Sequence, residues 1–484
     1  MSDPQTRLRD AEREILARRP EHSIEPSLER ITALTALLGD PHQAYPVIHI
    51  TGTNGKTSTA RMIETLLRAR GLRTGLFTSP HLSSIRERIC VDGEPLSAER
   101  FADAYAEVLP YLGLVDESQP AALSFFEVLT AMAFAVFADA PVDVAVIEVG
   151  VGGTWDCTNV ADGAVAVVTP VSIDHVRYLG NTVTSIAADK SGIIKPGAVA
   201  VLAQQPLEAA EVLLRRAVNV GATVAREGLE FGVTSRELAV GGQLLAVRGL
   251  LGSYGELFLP LFGAHQASNA ACALAAVEAF AGASATGEPA SADSEPAPLA
   301  TELVRSAFGM MSSPGRLEVV RRSPVVIVDS AHNPAGMAAT VDALTEAFAF
   351  ADLIAILAVS EDKDVPGILD ELEPVAAELV VTSNSSSRSA DPGKLAELAL
   401  AVFGPDRVRA VARLDDAIEL GVTLADEADA RSAASGGLPG TAMVLITGSV
   451  ITAGDARLLL TRAPAGEPAP GPAAAARHDR DVPS

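Results

Sequence analysis

The chain has 484 residues, 48% of them hydrophobic and only 4% aromatic, with 37 Lys and Arg against 61 Asp and Glu for a formal net charge of -24. Such a length exceeds one core and implies two or three domains packed mainly through aliphatic and alanine side chains. The acidic balance argues against a general nucleic-acid or anionic-membrane surface, although a local basic pocket can sit on an acidic protein.

Cys90, Cys157 and Cys272 are far apart and lack metal or redox spacing, which points to a reduced, cytoplasmic compartment. Met1 to Arg19 carries charge throughout, without the apolar stretch of a secretion signal. The longest apolar runs, such as Val128 to Ala138, are too short to span a bilayer. A soluble protein is expected.

In chain order, residues 1–24 read as an N-terminal tail, frayed or weakly helical, and Leu28 to Leu38 as an amphipathic helix. Val47 to Thr51 is a β-branched strand that runs into Gly52-Thr53-Asn54-Gly55-Lys56-Thr57 and then a helix from Ser58 to about Arg70. Arg73 to Phe77 forms a second strand that ends in Thr78-Ser79-Pro80-His81-Leu82. Helices follow from Ser97 and over Leu123 to Ala138. Asp143 to Val149 and Ala164 to Thr169 are continuous apolar strands of the kind buried on both faces of a parallel sheet. Val224 to Leu259 is glycine-punctuated and alternating, which predicts a small antiparallel sheet.

A stretch rich in Ala, Ser, Glu and Pro (281–298) reads as a flexible insertion. Beyond it the βαβ rhythm resumes, with strands at Val325 to Val328, Leu353 to Val359, Leu379 to Thr382, Val408 to Val411 and Met443 to Thr447. Arg431 to Gly440 is expected to be a loop and 463–484 a disordered tail. The predicted fold class is therefore α/β in two domains. Residues 25–302 form a phosphate-loop ATPase domain with a mainly parallel sheet plus the small antiparallel one. Residues 303–462 form a Rossmann-like α/β domain.

Strand, glycine loop and helix N-terminus, in that order, make an anion site. Glycines let the backbone approach phosphate oxygens, Lys56 reaches the terminal phosphates, and Thr57 offers a hydroxyl to Mg²⁺. The spacing departs from the usual phosphate-loop pattern, since only two residues separate Gly52 from Gly55 and Ile50 stands where a first glycine would. Ligands of open parallel sheets gather at the carboxyl ends of strands. Those ends carry Ser79, Glu148 and, past Thr169-Pro170, Asp174-His175, a hydroxyl, a carboxylate and an imidazole near one triphosphate. Taken singly, Ser79 is a turn residue before proline, Glu148 a surface marker and His175 a structural histidine; their succession at strand ends favours Mg²⁺ sites completed by phosphate and water.

Six stretches occur in order: Thr51 to Thr57; Thr78 to Leu82; Glu148-Val-Gly-Val-Gly-Gly153; Asp156-Cys-Thr-Asn159; Asp174-His175 with Leu179-Gly180; and Asp329-Ser-Ala-His-Asn-Pro334. Over about residues 25 to 460 the set resembles the folylpolyglutamate synthase/dihydrofolate synthase family of the Mur ligase superfamily. The resemblance implies an ATP-dependent ligase that adds L-glutamate to dihydropteroate or to the glutamate tail of tetrahydrofolates. It implies ATP phosphates on Gly52, Thr53, Asn54, Gly55, Lys56, Thr57 and Ser58, with Ser79, Glu148 and His175 as Mg²⁺ ligands and Lys190 carbamylated. It also places Asn269 near the base, Asp329 near the ribose, and Arg316 and His332 near the phosphates. Phe126 and Asp156 are expected to line the folate or pteroate pocket, with Arg86 and Arg88 steering the anionic acceptor. Gly153-Thr154-Trp155 departs from the family, which more often has a basic residue and a leucine there.

The chemistry implied is acyl-phosphate formation from ATP, followed by attack of the glutamate amine. Lys56, Lys190, His332 and Arg316 carry catalytic roles, and closure across Gly309 to Arg316 assembles the centre. A monomer without nucleic-acid or membrane partners is expected. Two alternatives differ in class. A cell-wall Mur ligase would need a nucleotide-sugar domain for which residues 1–46 leave little room. A non-catalytic ATP switch would leave the metal-ligand set and Lys190 without a role.

Overall fold

The computed structural model describes residues 3–284, 297–438 and 440–461. The expected insertion falls mostly, and the expected C-terminal tail wholly, outside them. The first sheet contains β1 (Val47–Thr51), β2 (Thr74–Phe77), β3 (Ile89–Val91), β4 (Glu94–Pro95), β5 (Val144–Glu148), β6 (Gly163–Val168), β7 (Val199–Leu202) and β8 (Thr223–Arg226). Their spatial order is β4-β3-β2-β5-β1-β6-β7-β8, with antiparallel pairing only at the β4 and β3 edge. The five residues of β1 and of β5 are all buried, because helices cover both faces. Period-two alternation sends Ile48 and Ile50 into the core beneath the Lys56–Ala69 helix, while Val47 enters the core on the opposite face with Phe134 and Phe137. This places the carboxyl ends of β1, β2, β5 and β6 side by side.

The small antiparallel sheet is β9 (Gly232–Ala239), β10 (Gly242–Arg248) and β11 (Ser253–Leu259), in the order β11-β10-β9. It starts later than the sequence pattern predicts, since Val224 and Ala225 extend the parallel sheet by pairing with Ala200 and Val201 of β7. The second large sheet comprises β12 (Glu318–Arg322), β13 (Val325–Val328), β14 (Asp352–Leu357), β15 (Glu378–Val381), β16 (Val408–Ala410) and β17 (Ala442–Thr447), ordered β12-β13-β17-β14-β15-β16. Only β12 runs antiparallel, and its exposed, charged sequence hid it from hydropathy reading.

Two expectations are refined. The segment read as a frayed or weakly helical tail is helical over Pro4–Leu16, and instead of standing free it docks against the Ala98–Ser118 helix through Leu8, Ala11 and Ile15. Spacings of three and four put these three apolar residues on one stripe inside a charged sequence. The segment read as a loop from Arg431 begins inside the Leu414–Ala434 helix, whose alanine-rich last turn sustains it. Among the described residues no helix is long and apolar enough to cross a membrane.

Candidate active site

The loop after β1 depends on two glycines. Gly52 has φ +146°, and a Cβ there would lie 1.8 Å from Thr169 Oγ1 at the end of β6. Gly55 has φ +87°, and its Cβ would stand 2.6 Å from Asn269 Oδ1. The backbone thus passes through a slot that no side chain could share. Thr53 anchors it, its N–H donating to Pro170 O (2.9 Å) and its hydroxyl to Ser172 O (3.0 Å). The Lys56–Ala69 helix then presents its N-terminus to the cleft.

Two ammonium groups converge on this loop. Lys56 Nζ donates to Gly52 O and Thr53 O (both 3.1 Å), while Lys190 Nζ donates to Gly52 O (2.8 Å) from behind. Burial, with repulsion from Lys56 added, lowers the Lys190 pKa to about 7; burial also lowers that of Lys56. Glu148 at the end of β5 is 1% exposed, and its carboxylate accepts from Thr57 Oγ1 (2.9 and 3.0 Å) and Ser79 N (3.2 Å). Burial raises its pKa against the opposing influence of Lys56, which leaves a dehydrated carboxylate incompletely neutralised. Ser79 and His175 line the same cleft. No group of three or more His, Cys, Asp or Glu among the described residues converges as a metal site. Glu148 with the Thr57 and Ser79 hydroxyls is nonetheless a hard-oxygen set suited to Mg²⁺ bound jointly by phosphate oxygens.

The C-terminal sheet supplies the facing wall. Asp329, just past the end of β13, has its carboxylate engaged by three donors, accepting from Leu317 N (3.0 Å), Ala331 N (2.8 Å) and Thr340 Oγ1 (2.9 Å). His332 turns Nδ1 to Ser330 O (3.0 Å) and Nε2 toward Asp174 Oδ2 (3.5 Å). Arg316 lines the cleft and makes no side-chain hydrogen bond or ion pair with another described residue. Two cross-wall contacts escaped the sequence-level site. Lys363 Nζ meets Asp174 Oδ1 at 2.6 Å, and the Asn54 and Asn333 amides bond reciprocally at 3.2 and 3.0 Å. Burial opposes ionisation of Asp174, yet His332, His175 and Lys363 hold its carboxyl far below the usual carboxylate range. Only a lysine between two aspartates (Asp362-Lys363-Asp364) signalled the first contact in sequence.

On the opposite flank Phe126 and Asp156 line the cleft, as expected, and a Cβ on Gly150 would meet Phe126 at 2.6 Å. Arg86 and Arg88 do not reach it. Arg86 turns to Leu96 O (2.8 Å). Arg88, 2% exposed, is held by Glu21 (2.8 and 3.2 Å), His81 Nδ1 (2.9 Å) and the face of Phe125. Both were expected to steer the acceptor because they follow the Ser79 loop, but the β2–β3 turn aims them at the N-terminal segment. Residues 19–25 of that segment line the cleft instead, which no motif announced. All these walls enclose one cleft of about 490 Å³.

A phosphate loop facing a second α/β domain across such a cleft defines an ATP-dependent ligase of the Mur type. The Mur ligase middle domain matches residues 50–277, and the Mur ligase glutamate ligase domain matches residues 315–449. The dihydrofolate synthase/folylpolyglutamate synthase of Mycobacterium tuberculosis is 50% identical over 92% of each chain, and the folylpolyglutamate synthase of Lacticaseibacillus casei is 35% identical over 71% of this chain and 78% of its own. The structure of the M. tuberculosis folylpolyglutamate synthase complexed with ADP superimposes with a TM-score of 0.88 at 48% identity, covering 96% of this chain and all of that one. The chain belongs to the folylpolyglutamate synthase/dihydrofolate synthase family of Mur ligases.

Proposed function

We propose that the chain joins L-glutamate to dihydropteroate, to the glutamate tail of tetrahydrofolate, or to both, at the expense of ATP. The observation that carries this reading is the apposition, across one cleft, of the phosphate loop and Glu148 with Arg316, His332 and Lys363. A carboxylate oxygen is a poor leaving group, so the acceptor carboxylate must first be activated. Its oxygen attacks the γ-phosphorus, ADP departs, and an acyl phosphate results. Lys56 and Arg316 stabilise charge on the transferring phosphoryl group, and the helix N-terminus at Lys56 adds its dipole. The amine of L-glutamate then attacks the acyl carbon, and inorganic phosphate leaves.

Because His332 Nδ1 faces a carbonyl, that nitrogen carries the hydrogen, and Nε2 is the position able to hold the proton lost from the amine. Glu148, Ser79, Thr57 and His175 would hold Mg²⁺, which supplies charge neutralisation to the phosphates when bound. The neutral amine of Lys190, accessible near pH 7, is the form that reacts with CO₂; the resulting carbamate would be a further anionic oxygen ligand. Asn269 beside Gly55 faces the base side, Asp329 orders the turn facing the ribose, and Phe126 with Asp156 forms the pteridine wall. A cytoplasmic monomer completes the reading.

Phosphate release with Mg-ATP and L-glutamate, with dihydropteroate and tetrahydrofolate as separate acceptors and mass spectrometry of products, tests it. Turnover of either supports the reading and names the activity. Turnover of neither would overturn it.

A further inference from the structure

His49 sits in the middle of β1, three residues before Gly52, and is completely buried. Burial lowers its pKa to about 3, so the ring is neutral. Its Nε2 lies 2.9 Å from Thr158 Oγ1, and that hydroxyl lies 2.5 Å from Asp156 Oδ1. The Nδ1 atom is buried without a partner. These contacts fix the direction of the chain. Burial raises the Asp156 pKa, but backbone N–H groups point at both of its oxygens (Thr158 N at Oδ1, Val151 N at Oδ2) and favour the carboxylate, which can only accept. The Thr158 hydroxyl therefore donates to Oδ1, leaving the hydroxyl oxygen to receive the Nε2 hydrogen of His49. The orphan is then a lone pair at Nδ1, which costs less to bury than an unpaired N–H. The Thr158 backbone N–H adds a second bond to Oδ1 (3.0 Å), so Oδ1 is saturated. Oδ2 accepts from Val151 N (3.0 Å), with the Gly150 backbone N–H also favouring the carboxylate, and the carboxyl lines the cleft together with Phe126.

We infer that His49 is a positioning residue for the acceptor: through Thr158 it orients the Asp156 carboxylate so that Oδ2 receives the N–H edge of the pteridine. This rests on the proposed reading that Asp156 faces the acceptor. The relay also ties the acceptor wall to the strand that launches the phosphate loop, since His49 and Gly52 share one rigid element. A carboxylate held by two donors on one oxygen cannot rotate to present the other differently. Loss of either link would free it to turn or to draw in water.

The test compares His49→Phe, His49→Gln and Thr158→Val with Asp156→Asn, measuring kcat and KM separately for ATP and for dihydropteroate or tetrahydrofolate. His49→Phe and Thr158→Val should each raise the acceptor KM about tenfold, with the ATP KM unchanged, as expected for removing a hydrogen bond that serves a charged group. His49→Gln, which keeps a donor, should restore most of the loss. Thr158→Val keeps the side-chain shape, so it carries the test if His49→Phe does not fold. If Asp156→Asn raises the acceptor KM while Thr158→Val does not, the relay is wrong and the reading of Asp156 stands. If Asp156→Asn leaves the acceptor KM unchanged, Asp156 does not face the acceptor, and the inference falls with that reading. Equal rises in both KM values without rescue by Gln would reduce His49 to packing of the strand.

Discussion

The nucleotide flank and the acceptor flank of the cleft are built on different principles. Gly52, Gly55, Lys56 and Thr57 lie within six consecutive residues, and their geometry comes from one strand-to-helix turn. The flank proposed to hold the acceptor draws on residues 19–25, Phe126 and Asp156, which lie far apart in the chain and come together only in the folded protein. On the first flank the backbone is the ligand, so positive φ and close approach dictate the residues. On the second, the proposed reading gives recognition to side chains, each replaceable if its supports change with it. Substitutions on the nucleotide flank should therefore abolish function outright, whereas those on the acceptor flank should shift affinity by degrees.

The largest effect is expected from Gly52→Ala. Its Cβ would overlap Thr169 Oγ1 in a backbone conformation that alanine rarely adopts, so β1 and β6 must separate. Isothermal titration should show no ATP binding, and thermal melting a loss of about 2–4 kcal/mol. Normal ATP affinity would show that the slot yields and would erase the contrast between the flanks. Next comes Glu148→Gln, which keeps the shape but removes the charge. The expected result is a kcat lower by about 10²–10³-fold, and a Mg²⁺ requirement shifted to higher concentration, both read from phosphate release. Chelation of Mg²⁺ should abolish turnover of the unaltered protein.

Legibility in the sequence followed the same division. Strands β1, β2, β5, β6, β13, β14, β15 and β17 were readable from their largely apolar runs. The short β3 and β4 and the apolar β7 were not, β8 was assigned to the wrong sheet, and β12 was hidden because an edge strand of Glu, Val and Arg needs no apolar run. Phosphate-loop residues announced themselves through local order. Asp174 and Lys363, 189 positions apart, make their contact only through the approach of the two sheets. The helix at Pro4–Leu16 was legible only as weak helical character, since the three apolar side chains that dock it are spread through a charged sequence. Arg86 and Arg88 were assigned by nearness in sequence to Ser79, and a two-residue spacing said nothing of the turn that aims them elsewhere.

Lys190 lies between the flanks and predicts a pH dependence. Its folded-state pKa, about 7, lies below the roughly 10.4 of an unfolded lysine. Between those values the unfolded chain binds more protons, so this group's contribution to stability rises with pH across that window and is least favourable below pH 7. Relative to Lys190→Met, the melting temperature of the unaltered protein should climb from pH 7 to 9. Added bicarbonate should raise kcat by a few fold in the same range and leave Lys190→Met unaffected, with native mass spectrometry detecting the CO₂ adduct. A flat difference in melting temperature would mean that the amine is better solvated than its bond to Gly52 O suggests.

The smallest effects separate Arg88 from Arg86 and sharpen what the acceptor flank consists of. Arg88 is buried and ties Glu21 of the N-terminal segment to His81 of the Ser79 loop, so Arg88→Ala should cost about 2–3 kcal/mol by leaving a cavity and unpartnered polar groups. Because residues 19–25 line the cleft, their loosening should also raise the acceptor KM several-fold, with little change for ATP. Arg86 gives up its hydrogen bond to Leu96 O and a charge interaction with the partly exposed Glu12, so Arg86→Ala should cost about 1 kcal/mol and leave both KM values unchanged. Neither arginine acts on the acceptor directly in this account, which makes ionic strength the discriminating variable. If the acceptor KM of Arg88→Ala differs from that of the unaltered protein by the same factor at low and high salt, Arg88 acts by holding the segment. A difference that vanishes at high salt would return it to the electrostatic steering expected from its place in the sequence.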